Sequence, residues 1–78
     1  MTQEFQINGN DYIHLAERSC YNNNYFQHRE TGEIIFEKCN ELAGSYDFYR
    51  IENNEQVWLG GSDQDLESGL ITIHPDWI

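Results

Sequence analysis

Residues 46–59 read YDFYRIENNEQVWL. Two runs rich in aromatic and β-branched residues flank Asn53-Asn54, and asparagine accepts left-handed backbone geometry at modest cost. The stretch therefore predicts a tight β-hairpin. Working outward, YFQHRETGEIIFEK (25–38) has the same form, with Thr31-Gly32 at the reversal. FQINGNDYIHL (5–15) offers Asn8-Gly9, a dipeptide that supplies the positive φ of a two-residue turn. A last apolar run, LITIH (70–74), is stopped by Pro75, which cannot donate to a ladder.

Seven strands are expected near residues 3–7, 11–17, 25–30, 33–38, 46–52, 56–60 and 70–74. Helical periodicity is weak outside 63–68, where at most one short helix of two turns fits. The predicted fold is mostly β: one small antiparallel domain spanning 1–78, a hairpin meander closed as a curled barrel or as two short layers. Alternation assigns Ile13 with Leu15, Ile34 with Phe36, Tyr49 with Ile51, Val57 with Leu59 and Ile71 with Ile73 to the inward face. Aromatic residues then remain in surplus. Among Tyr12, Tyr21, Tyr25, Tyr46, Trp58 and Trp77, several are expected at an edge or outside, and Tyr and Trp are the side chains that anchor protein interfaces.

A chain of 78 residues has room for one core. Small scaffolds gain only roughly 3 to 5 kcal/mol beyond their ordering entropy, so most large apolar side chains are needed inside. No apolar run is long enough to span a bilayer, and MTQEFQINGN lacks the basic start and apolar core of a signal peptide. A cytoplasmic location follows as the expectation, with Cys20 and Cys39 as reduced thiols.

The stretch GGSDQDLESG (60–69) raises the question of a cation loop, because Asp63, Asp65 and Glu67 alternate like the first donors of a calcium loop. The glycine at the sixth position and the glutamate at the twelfth are missing; Ser68 and His74 stand there. A capped turn explains the residues better, with Ser62 as the cap, Asp63 and Asp65 in the first turn and Gly69 as the terminator. Cys20, Cys39, His14, His28 and His74 form none of the close pairs of structural zinc. RSCYNNNYFQH (18–28) brings Cys20 and His28 onto adjacent elements, but the chain is too small for an evident pocket. No catalytic residue, metal site or cofactor is expected, and the chain reads as a non-enzyme.

Charge is the most informative feature. Fourteen acids face four bases, a net charge of −10, which opposes direct binding to nucleic acid. Residues 1–50 hold eight acids and all four bases, Arg18, Arg29, Lys38 and Arg50; residues 51–78 hold Glu52, Glu55, Asp63, Asp65, Glu67 and Asp76 and no lysine or arginine. Acidity of this kind serves solubility, but self-repulsion also costs a small domain stability that a basic partner would return.

The leading expectation is a non-catalytic inhibitor or sequestering protein that occupies the basic nucleic-acid-binding surface of a partner protein, of the immunity, antitoxin-like or phage anti-defence kind. The expected binding residues are Glu52, Glu55, Trp58, Asp63, Asp65, Glu67, Asp76 and Trp77. The competing expectation is an assembly module that self-associates through a sheet edge or an aromatic patch, as monomer or homodimer, with acidity serving solubility alone.

Overall fold

The structure is a computed structural model and describes residues 3–77. Seven strands run in chain order: β1 (Phe5–Asn8), β2 (Tyr12–His14), β3 (Asn23–His28), β4 (Ile34–Asn40), β5 (Ser45–Glu52), β6 (Glu55–Ser62) and β7 (Leu70–Ile73). Two single 3-10 turns, η1 (Gly9–Asp11) and η2 (Leu66–Ser68), complete the elements. Strands β2 to β6 form an antiparallel meander of five, and β1 pairs with β7 in a second antiparallel sheet. The sheets meet at one corner, where Gly61 bridges His74.

Turn chemistry places the central hairpins as expected. Asn53 (φ 50°) and Asn54 (φ 66°) are both left-handed and join β5 to β6 with Glu52 opposite Glu55. Gly32 (φ 77°) closes the β3–β4 turn.

The Asn8-Gly9 expectation is corrected. β1 does not pair with β2; it pairs with β7, and residues 9–11 form η1, which carries the chain from one sheet to the other. The Asn8 side chain accepts from the Asn10 N–H and caps that turn. Gly9 is needed for close approach, because a Cβ there would collide with the Leu66 carbonyl oxygen.

The core lies between the sheets and is built from Tyr12, Phe26, Ile35, Phe48, Leu66, Ile71 and Ile73, with Ile7, Tyr46 and Leu59 packed against it. Ile71 and Ile73 are inward as expected. On β2, β4 and β5 the assigned phase is reversed: Tyr12, Ile35 and Phe48 are inward, while Ile13 is exposed and Phe36 and Tyr49 lie on the opposite face. Each of these strands has large apolar residues on both faces, so alternation alone reads equally well in either phase.

The helix expected at 63–68 is one 3-10 turn, and its cap differs from the sequence reading. Ser62 accepts from the Gln64 N–H at 3.2 Å, but Asp65 is the N-cap residue and its carboxylate takes the Ser68 hydroxyl at 2.6 Å instead. The Leu66 N–H is satisfied by Glu37 of β4, a buried carboxylate 2.7 Å away. Its other oxygen accepts from Asn24 at 3.1 Å.

Candidate partner-binding surface

Antiparallel partners share a face, so the register fixes what lies on the side of the large sheet away from the core. Tyr25 stands opposite Phe36, Phe36 opposite Tyr49, and Tyr49 opposite Trp58. These four residues form one aromatic row across β3, β4, β5 and β6. Ring centroids are 4.7 Å apart for Tyr25 and Phe36 and 5.7 Å for Phe36 and Tyr49, within the range of favourable offset contact. Leu66, Ile71 and Ile73 all belong to the core on the other side, so η2 and β7 do not pack on this row; within it Phe36 is buried, Tyr25 and Tyr49 are partly buried, and Trp58 is exposed.

The two ends of the row differ. At the β3 end the Arg18 guanidinium lies 4.7 Å above the Tyr25 ring, a cation–π contact within the chain. At the β6 end the row meets Trp77. Together Asp47, Tyr49, Trp58 and Trp77 line a shallow open depression of about 290 Å³. Trp58 is 39% exposed there.

Trp77 reaches this place through local backbone features. The Trp77 ring stacks on His74 with centroids 4.2 Å apart and planes within 4°, and the Trp77 backbone N–H donates to the His74 carbonyl at 3.2 Å. Below it lies Gly61, the partner of Asp47; a Cβ there would come within 3.1 Å of Trp77 Cε3. The glycine thus makes room for the indole.

On the far side of His74 is a second depression, lined by Glu4, Ser62, Asp63, Gln64, Thr72 and His74. Glu4 reaches His74 Nδ1 at 3.1 Å. The aromatic and acidic depressions are therefore neighbours, joined by the His74–Trp77 stack. Comparison of the chain with family models, with curated proteins and with solved structures finds no match in any of the three.

The expected binding residues are divided by this geometry. Trp58 and Trp77 come together, Asp76 is exposed beside Trp77, and Asp63 lines the adjoining depression. Asp65 and Glu67 belong to the η2 turn, whose Leu66 N–H is capped by Glu37. Glu52 and Glu55 sit at the β5–β6 hairpin tip, roughly 25 Å from Asp63 along the strand at about 3.3 Å per residue. Glu52 is also ion-paired with Arg50. Sequence reasoning missed Asp47 and Tyr49, whose role depends on register across three strands.

Burial pushes the Tyr49 hydroxyl above its ordinary pKa, and the Asp47 carboxylate adds to that shift. Both cysteines are free thiols. Cys20 bridges Asn23 at the start of β3 and His28 ends the same strand, roughly 16 Å away at strand rise, so the two do not form a catalytic pair. His28 instead accepts at Nδ1 from the Glu30 and Thr31 N–H groups of its own turn. No described helix is long and apolar enough to cross a membrane.

Proposed function

We propose that this protein is a cytoplasmic, non-catalytic binding protein that occupies a basic, nucleic-acid-binding surface of another protein and so inhibits or sequesters it. The observation that carries the reading is the pairing of an aromatic depression with an acidic one across the His74–Trp77 stack. A net charge of −10 draws a basic partner in, and Trp and Tyr rings supply contact area at low entropic cost. Asp63 and Asp76 flank the aromatic contact, and no lysine or arginine follows residue 50 to compete for them.

The competing reading is self-association through a sheet edge, such as that of β6, or through the aromatic patch. Charge opposes it, because Glu55 opens that edge strand and each copy of the chain carries a net charge of −10.

The test is displacement of a labelled DNA duplex from a panel of purified basic nucleases and DNA-binding domains. Wild-type protein is expected to displace duplex from at least one of them, with potency falling steeply as salt rises. The Asp63→Lys, Glu67→Lys, Asp76→Lys variant is expected to fail. Absence of displacement throughout, together with salt-independent self-association in sedimentation, would favour the assembly reading.

A further inference from the structure

We infer that the depression formed by Asp47, Tyr49, Trp58 and Trp77 is a receptor for one arginine side chain of the basic partner. This inference rests on the binding reading above and names the contact at its centre. Three aromatic side chains and one carboxylate are groups that attract a cation: an aromatic ring does so through its quadrupole, and the carboxylate supplies the opposite charge. The same row already holds a guanidinium at its other end, Arg18 over Tyr25. At the Trp58 end no arginine or lysine nitrogen of the described residues lies within 4.0 Å of Asp47, although Lys38 is its cross-strand partner.

The shape selects among cations. A quaternary or methylated ammonium has no N–H to give a carboxylate and needs rings enclosing it on several sides. This depression is shallow, with a carboxylate in its wall. A guanidinium is planar, stacks flat on an exposed indole, and presents paired N–H donors that a carboxylate can accept together. Lysine offers a compact, strongly hydrated charge that uses the flat surface poorly. Gly61 and His74 do not line the depression; they fix the position of Trp77, which does, through their contacts with its side chain.

Both tryptophans of the chain line this depression, so intrinsic fluorescence reports directly on its occupancy. The probes are three peptides of equal length: arginine–glycine repeats, lysine–glycine repeats, and uncharged citrulline–glycine repeats. Arginine peptide is expected to shift tryptophan emission and to bind about tenfold tighter than lysine peptide, while citrulline peptide leaves emission unchanged. Trp58→Ala and the near-isosteric Asp47→Asn are each expected to weaken arginine binding about three- to tenfold, with circular dichroism confirming that both fold.

Equal, salt-sensitive binding of arginine and lysine peptides, unmoved by Asp47→Asn, overturns the arginine receptor while leaving the acidic binding surface intact. No salt-sensitive binding of either peptide overturns both. A dimer in sedimentation that Trp58→Ala dissolves also overturns the receptor, by giving the depression to a second copy of the chain.

Discussion

The Glu37 carboxylate of β4 accepts the Leu66 N–H at 2.7 Å and thereby fastens the acidic 63–68 stretch to the inner face of the large sheet. A local capping residue would be enough for an isolated turn. Here the cap comes from 29 positions away, is 3% exposed, and ties η2 to the same core that Leu66 enters. Glu37→Ala leaves the Leu66 N–H and the Asn24 amide without this acceptor, and is expected to cost about 1 to 3 kcal/mol in urea unfolding.

That carboxylate also sets a pH dependence. Burial pushes the Glu37 pKa above its ordinary value of 4.5; the Leu66 and Asn24 hydrogen bonds oppose the shift, and the charges of Asp65 and Glu67 reinforce it. With the folded pKa raised, the native state holds the proton more tightly than the unfolded chain. The associated stability is fully present below 4.5 and is lost as pH rises through the raised value. Mild acidification from neutrality is therefore expected to raise the urea midpoint. Glu37→Gln is expected to flatten that rise, measured as midpoint against pH for the two proteins.

The adjacent glycines of β6 separate structure from site. At Gly60 (φ 147°) a Cβ would lie 2.7 Å from the His74 backbone carbonyl carbon and oxygen, which cannot move without breaking the corner between the sheets. Gly60→Ala is expected to destabilise by on the order of 2 kcal/mol or more. At Gly61 the clash is with a side chain, Trp77. Gly61→Ala is expected to cost less stability and to change tryptophan emission and arginine-peptide affinity, so calorimetry and fluorescence should rank the two variants in opposite order.

The sequence pattern carried the strand count and the two asparagine- and glycine-marked hairpins, because positive φ at Gly32, Asn53 and Asn54 is a local demand that residue type reveals. It did not carry the pairing of β1 with β7, which joins segments more than sixty residues apart with no turn between them. Nor did it carry the phase of β2, β4 and β5. Ile34, Ile35 and Phe36 form an unbroken apolar run, and β5 has Phe48 toward the core and Tyr49 in the outer row. The second face is itself apolar because the aromatic row lies there, and a two-sided sheet erases the alternation from which phase is read. Trp58 and Trp77 were legible as surplus aromatics; Asp47 joins them only through register.

The phase found in the structure has a direct consequence for mutational cost. Ile35→Ala removes a side chain 1% exposed and is expected to cost about 2 to 5 kcal/mol, whereas Ile13→Ala, at 45% exposure, is expected to stay within about 1 kcal/mol of wild type. Phe48→Ala and Tyr49→Ala should differ in the same sense. Equal losses for Ile13 and Ile35 in urea unfolding would contradict the inner-face assignment.

Lys38 gives the last prediction, because it stands opposite Asp47 in the β4–β5 register without forming an ion pair within 4.0 Å. Its positive charge lowers the attraction that Asp47 exerts on an arriving guanidinium, and both residues are open enough to solvent for salt to screen that effect. Lys38→Met keeps an apolar stem of similar length and removes the charge. The variant is expected to bind arginine–glycine peptide about two- to fivefold tighter at low ionic strength, with the gain fading as salt shortens the screening length. Fluorescence titrations at two salt concentrations measure both effects. A gain that persists at high salt would place the cause in altered packing beside Tyr49 instead of in charge.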